Sequence, residues 1–175
     1  LIANGSGSNR VALIQTSSAT TTLSNASNSY SGGTTIQAGA TIAVSAASNL
    51  GSGTVTLDGG TLSITNNSSA FTITNTLALS NSSTITKTGS GLVTLSGNVS
   101  SSNSQTNTLT LAGDGALTLS GTISDGSGMI AMTQTNSNTV ILSGANTYTG
   151  DTNVNAGTLK AGRAYSSSTG PFGNG

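Results

Sequence analysis

The chain has 175 residues, of which 31 are Ser, 31 are Thr, 24 are Gly and 18 are Asn. Four basic and four acidic residues give a net charge of zero, and the chain contains no His, Cys, Glu or Trp. This composition excludes a Ser-His-Asp triad, a Cys-His pair, the usual zinc sites and any disulfide. So few basic residues also argue against a nucleic-acid partner or an anionic membrane surface.

Short segments of alternating apolar and hydroxyl residues follow one another along the chain, separated by turns rich in Gly, Asn, Asp and Ser. They lie at 54–57, 61–65, 71–74, 77–80, 84–86, 109–111 and 117–120. Period-2 alternation of strand-forming residues predicts short β-strands with one apolar face. Because no segment carries a helical apolar stripe or a run of 18 apolar residues, we expect an all-β chain with essentially no helix and no membrane-spanning helix.

Internal repeats organise these segments. The segment 91–100 (GLVTLSGNVS) shares six of ten residues with 115–124 (GALTLSGTIS), 24 residues later, and the Leu-Ser-Gly core recurs at 142–144. The segment 30–39 (YSGGTTIQAG) returns at long range as 148–157 (YTGDTNVNAG). Short strands with a period in the low twenties predict a single-stranded parallel β-solenoid (β-helix) of roughly seven or eight stacked coils.

Some of these residues resemble a known family. The run 139–162 (TVILSGANTYTGDTNVNAGTLKAG) and the run 87–97 (KTGSGLVTLSG) resemble the passenger-associated repeat of bacterial autotransporters, and 50–62 (LGSGTVTLDGGTL) resembles the stretch that follows this repeat. The resemblance implies a right-handed parallel β-helix that is exported to the surface of a Gram-negative cell. In that family a C-terminal membrane barrel follows the passenger, so residues 1–175 are expected to be one solenoid segment of a longer protein. Its repeat units are expected near 22–64, 87–124 and 139–175.

The four carboxylates, Asp58, Asp114, Asp125 and Asp151, are the candidates for acid–base catalysis or for metal binding. A glycosidase needs two carboxylates roughly 5–10 Å apart, and Asp125 and Asp151 are separated by about one coil. Each Asp, however, adjoins Gly, Ser or Thr in a turn motif, where its side chain bonds the local backbone. The tandem glycine-rich calcium motif is also absent. The sequence therefore predicts no catalytic, metal or cofactor site.

Tyrosines and basic residues are the remaining candidates for binding. Tyr30 and Tyr148 occupy equivalent repeat positions, where they either stack on a sugar or cover the core beside a turn, and the second interpretation is preferred. The basic residues are Arg10, Lys87, Lys160 and Arg163. They do not cluster in the sequence, and we interpret them as isolated solvated charges.

Thr-x-Thr units occur at 54/56, 72/74, 84/86 and 108/110. Flat arrays of such units are used by some ice-binding solenoids. The intervals between these four units are 18, 12 and 24 residues, so they do not predict one flat array.

These observations predict a non-enzymatic structural module of an exported surface protein, acting as a rigid stalk or scaffold that self-associates. An adhesin segment that binds host glycans or surfaces is the alternative, and a polysaccharide-acting enzyme or an ice-binding solenoid is the third. The expected partners are further copies of the chain and a host surface or glycan, without nucleic acid. The expected location is extracellular, at the Gram-negative outer membrane.

Overall fold

The computed structural model describes residues 1–166 and 169–174. Within these ranges the chain forms 18 short strands and a single-turn 3-10 helix, Ala47–Leu50. The strands assemble into three sheets, which we call sheet A (six strands), sheet B (seven strands) and sheet C (five strands). Neighbouring strands within each sheet pair in parallel, as shown by every pairing between the named strands.

The strand bounds by sheet are as follows. Sheet A consists of β1 (Leu13–Gln15), β3 (Thr34–Gln37), β5 (Val55–Asp58), β8 (Leu77–Asn81), β11 (Val99–Ser101) and β14 (Ile123–Gly126). Sheet B consists of β2 (Thr20–Leu23), β4 (Thr41–Val44), β6 (Thr61–Thr65), β9 (Ser83–Thr88), β12 (Asn107–Gly113), β15 (Ile130–Gln134) and β17 (Thr152–Val154). Sheet C consists of β7 (Phe71–Ile73), β10 (Val93–Leu95), β13 (Leu117–Leu119), β16 (Thr139–Leu142) and β18 (Thr158–Ala161).

From β5 to β16 the chain visits the three sheets in the order A, B, C and then begins the next coil; within the part of the chain that the structure describes, the first two coils have no strand of sheet C, and the last has none of sheet A. Coil 3, for example, consists of β5, β6 and β7, and in coil 2 the 3-10 helix follows the strand of sheet B. Over the described residues this path makes about seven turns, which at about 4.8 Å per coil gives a rod roughly 35 Å long. The prediction of an all-β parallel solenoid is confirmed, and its right-handed sense stays a prediction.

The short sequence repeat stacks in register on itself. Val93 pairs with Leu117 and Val99 with Ile123, the 24-residue offset that the repeat predicts. Gly121, the last residue of the Leu-Ser-Gly core within this repeat, lies directly against the backbone of the preceding coil, where an added Cβ would collide with the carbonyl oxygen of Gly97. Gly144 makes the same approach to Gly121. Glycine recurs in the Leu-Ser-Gly motif because two backbones meet there.

The core is a narrow column of stacked aliphatic side chains. The strand alternation turns every second residue inward, so aliphatic residues stack on aliphatic residues in successive coils. One such row of sheet B consists of Ile42, Leu62, Ile85 and Leu111. All four are fully buried, and burial of one such side chain contributes about 1.5–3 kcal/mol. A core only one side chain deep explains how so few apolar residues suffice.

Buried asparagines close the corners between sheets. At the corner between sheets B and C, the Nδ2 of Asn66 donates to the carbonyl oxygens of Ser69 (3.0 Å) and of Leu92 (3.1 Å) in the next coil. Asn136 reaches the other way, to the carbonyl oxygen of Gly115 in the coil before, at 3.0 Å. Turn carbonyls that are buried need donors, and the asparagine amides supply them while tying one coil to the next.

Candidate functional site

Asp125 lies at the corner between sheets A and B and links two coils. Its Oδ1 accepts hydrogen bonds from the backbone N–H groups of Ile130 (2.9 Å) and Thr149 (3.1 Å), and its Oδ2 accepts one from the Thr149 hydroxyl (2.7 Å). Burial alone would raise the pKa of Asp125, but these three hydrogen bonds outweigh it and hold the pKa below its ordinary value. Both carboxylate oxygens of Asp125 thus accept hydrogen bonds, and the residue serves as a structural link between two coils.

The other carboxylates lie apart from one another. Asp58 ends β5 in coil 3, where its Oδ1 accepts a hydrogen bond of 2.6 Å from Asn81. Asp114 lies at the corner between sheets B and C and accepts a long hydrogen bond (3.3 Å) from the Gly89 N–H. Asp151 is exposed. Within residues 1–166 and 169–174 no group of three or more carboxylates could hold a metal ion.

Tyr30 and Tyr148 are both completely buried. The Tyr30 hydroxyl lies 2.7 Å from Thr34 Oγ1, and the Tyr148 hydroxyl lies 2.8 Å from Thr152 Oγ1. For both residues burial raises the pKa of the phenol above its ordinary value, and the hydrogen bond offsets only part of this effect. Neither ring is available to stack on a sugar, and the interpretation of both as core covers beside a turn is the one that the structure supports.

The two tyrosine units occupy different faces of the solenoid. Thr34 begins a strand of sheet A, whereas Thr152 begins a strand of sheet B. In both places the threonine takes a core position: Thr34 pairs with Leu13 and Val55, and Thr152 pairs with Met132. A hydroxyl is tolerated in these aliphatic rows because the tyrosine hydroxyl bonds it. The same motif therefore recurs rotated by one face around the rod.

Lys87 corrects the prediction of four solvated charges, because its side chain is fully buried. It follows Ile64 in an inward row of sheet B, and Gly113 lies above it in the next coil. Its Nζ donates to the carbonyl oxygens of Thr88 (2.6 Å) and Gly89 (2.8 Å). Burial lowers the pKa of Lys87, and the charge of Asp114 raises it by less. The signal was in the sequence, since the alternation of β9 places residue 87 on the same face as Ile85.

The remaining basic residues agree better with the prediction. Arg10 and Lys160 are exposed, and Arg163 is half-buried. Lys160 and Arg163 are three residues apart and Arg10 lies far from both in the sequence, and three basic residues are too few to attract an anionic polymer strongly.

Two cavities open on the surface. One, of about 480 Å³, lies beside the 3-10 helix and is lined by hydroxyl and amide side chains, among them Asn28, Ser48, Thr72 and Asn75. The amides of Asn28 and Asn75 already donate to backbone carbonyls. The other, of about 270 Å³, is lined by Thr152, Val154, Leu159 and Phe172. Neither cavity is lined by a carboxylate.

The four Thr-x-Thr units of the sequence do not share one face. Thr56 lies on sheet A, Thr72 on sheet C, and the units at 84/86 and 108/110 on sheet B. Sheet B nevertheless carries a threonine row that these intervals did not predict. It consists of Thr20, Thr41, Thr61, Thr84, Thr110 and Thr133, each paired with the next. We call this row the threonine ladder.

Comparison with known proteins identifies one family. Residues 13–44 and 132–161 match the model of the passenger-associated-transport-repeat, and the matches overlap the units predicted near 22–64 and 139–175. The resemblance to this family is thereby confirmed, and the run 139–162 lies almost entirely within the second match, whereas the runs 87–97 and 50–62 lie outside both. Searches of curated proteins and of solved structures found no match. Among the described residues, no helix is long and apolar enough to cross a membrane.

The two matched segments have the same internal pairing. In the first, β1 pairs with β3 and β2 with β4. In the second, β15 pairs with β17 and β16 with β18. Each segment thus stacks two strands on two others within about thirty residues and includes one buried tyrosine. The repeat is a unit of two stacked strand pairs, set on sheets A and B in one copy and on sheets B and C in the other.

Proposed function

We propose that this chain, which carries two passenger-associated-transport-repeats, is a non-enzymatic scaffold segment of an exported bacterial surface protein. The observation that carries the proposal is the pairing of strands within each matched segment. A chain that leaves a membrane pore gradually folds best if its contacts are local, because each new coil then finds its partner at once. The repeat family implies export to the cell surface.

The location is tested on intact cells of the source organism. Antibodies raised against the chain should label intact cells, and external protease should remove the label. Labelling that appears only after the outer membrane has been permeabilised would contradict export to the surface.

The role of the repeat in transport is tested by a matched pair of substitutions in the full-length parent protein. Gly144→Ala lies inside the second matched segment and Gly97→Ala lies outside both, and each places a methyl group against a backbone carbonyl of the preceding coil. We expect Gly144→Ala to reduce the surface-exposed fraction more than Gly97→Ala does. Equal reductions would show that the repeats have no special part in export.

A scaffold role also predicts that no carboxylate is catalytic. Asp125 is engaged by three hydrogen bonds, and Asp58 lies about three coils from it, on the order of 14 Å along the rod. Incubation with plant, bacterial and host polysaccharides should release no new reducing or unsaturated ends. Release that Asp125→Asn abolishes would replace the scaffold by an enzyme.

Self-association and adhesion are the finer parts of the proposal. Eight charged residues in 175 provide little repulsion between copies. Sedimentation should show association that rises with concentration and changes little with salt. Glycan arrays and host-cell binding test the adhesin alternative, and binding of a defined glycan by a non-associating chain would favour it.

A further inference from the structure

The outer face of sheet B carries the threonine ladder, six threonines in register in six successive coils. Beside it runs a second outward row, made of Thr22, Ala43, Ser63, Thr86 and Ala112. Most inward residues between these rows are aliphatic, such as Leu62 and Ile85, and they hold the sheet against the core. Thr21 and Gln134 lie at the two ends of that inward row. The two outward rows consist only of Thr, Ser and Ala, so their side chains are all short.

The ladder hydroxyls make no hydrogen bond to any other described residue, in contrast with other threonines of the chain. The hydroxyls of Thr65 and Thr88 bond each other at 3.0 Å, and those of Thr34 and Thr149 bond a tyrosine and an aspartate. The six ladder hydroxyls thus keep their hydrogen-bonding capacity for a molecule outside the chain. Their side chains are also stiff, because β-branching restricts χ1, so little entropy is lost when they bind.

The ladder sets a regular spacing in two directions. Successive threonines lie about 4.8 Å apart along the ladder, and residues two apart on one strand lie about 6.7 Å apart across it. The threonine side chains therefore stand at regular intervals along this face. Water oxygens on the prism face of ice repeat with similar spacings in two perpendicular directions.

The chemistry of the face argues against an ionic ligand, a stacked sugar ring and a second copy of the chain. The two rows contain no charged residue, so an ionic ligand finds no partner there, and they contain no aromatic ring on which a sugar could stack. Five spacings of about 4.8 Å by a width of about 10 Å give roughly 250 Å², well below the roughly 800 Å² that each partner buries in a stable protein interface. A second copy of the chain is therefore a poor fit for this face.

We propose that the threonine ladder binds ordered water, as presented by the surface of an ice crystal. The hydroxyls bond the outermost water oxygens, and the methyl groups fill the spaces between them. Sheets A and C carry shorter threonine rows. In sheet A only two threonines are in register, followed by Ala78, Ser100 and Ser124. In sheet C three threonines are followed by Ile141 and Lys160. This property is independent of the scaffold role, and the two proposals fail separately.

The experiment is ice partitioning of the purified chain, in which a slowly growing ice front takes up proteins that bind it. The variant Thr84→Tyr raises a ring above the middle of the ladder. Thr118→Tyr is the matched control, since Thr118 is an equally half-buried outward threonine in the central strand of sheet C. Circular dichroism verifies that both variants fold. We expect the wild type and Thr118→Tyr to enter the ice, and Thr84→Tyr to stay in the liquid.

A gain of function provides a second measurement that does not depend on damage to the face. The double variant Ala43→Thr, Ala112→Thr fills the second row with threonine, a better strand former than alanine, and should enter ice more completely than the wild type. Exclusion of the wild type from ice overturns the proposal. So does equal behaviour of Thr84→Tyr and Thr118→Tyr. Binding to crystalline cellulose or chitin that Thr84→Tyr abolishes, without uptake into ice, would reassign the face to a polysaccharide.

Discussion

The bond between Tyr30 and Thr34 provides the sharpest test of how a polar pair is accommodated in the core. Both residues are essentially fully buried, and their oxygens are 2.7 Å apart. Tyr30→Phe removes one oxygen and leaves the other buried without its partner, which costs about 1–3 kcal/mol. Thr34→Val is expected to cost a similar amount, because it leaves the Tyr30 hydroxyl unsatisfied.

The double variant Tyr30→Phe, Thr34→Val should be more stable than the sum of the single losses predicts. It removes both oxygens, and replacing both partners by apolar groups of the same shape is nearly neutral. The new valine would also pair with Val55 in an aliphatic row. Urea unfolding followed by circular dichroism gives the free energies, and the difference between double and single variants gives the coupling energy.

A coupling energy near zero would refute the reasoning, since the two hydroxyls would then contribute independently. The second tyrosine provides a graded control. Thr152 is half-buried where Thr34 is buried, so Tyr148→Phe should cost less than Tyr30→Phe. The opposite order would mean that burial of the threonine does not set the penalty.

Three further predictions concern pH and coil stacking. Burial raises the pKa of Tyr30 and Tyr148, so their contribution to the free energy of unfolding should be fully present below about pH 10 and be lost above it, because the unfolded state ionises first. Melting temperatures measured across alkaline pH test this. The pKa of Asp125 is depressed, so its contribution should be present above about pH 4 and be lost as the pH falls through the folded value. Asp125→Asn should make the free energy of unfolding less dependent on pH in the acid range. If the dependence is unchanged, other groups are responsible for it. Gly121→Ala should destabilise the chain by about 1–3 kcal/mol through overpacking. Gly5→Ala is its control and should be nearly neutral, because the added Cβ would meet no atom nearer than 3.6 Å. Urea unfolding measures both.

Local features of the chain were well predicted because they depend on neighbouring residues. The alternation at 61–65 and 117–119 became β6 and β13, since a strand turns successive side chains to opposite faces wherever it lies. The similarity of 91–100 to 115–124 predicted the register of β10 on β13, because like residues stack on like residues in successive coils.

For Lys87 the strand alternation indicated an inward position, but its charge favoured the prediction of a solvated side chain, which is wrong. Charge favours water, and a lysine outside a charge cluster is usually solvated. Here the strand alternation prevailed: residue 87 follows Ile85 on the inward face, and the carbonyl oxygens of Thr88 and Gly89 receive its ammonium group. Glycine at position 115 leaves the space that this side chain needs, and Gly113 lies against the Lys87 backbone.

By itself the sequence determined that the chain forms short strands, that its coils stack in parallel, and that its repeats resemble those of autotransporter passengers. Only the tertiary structure decided which strands share a face. The intervals along the threonine ladder are 21, 20, 23, 26 and 23 residues, and no fixed period finds such a row. The reason is that turns absorb extra residues at the corners, while the hydrogen-bond register between coils aligns the strands. The same freedom at the corners sets the two tyrosine units, nearly alike in sequence, on different faces of one rod.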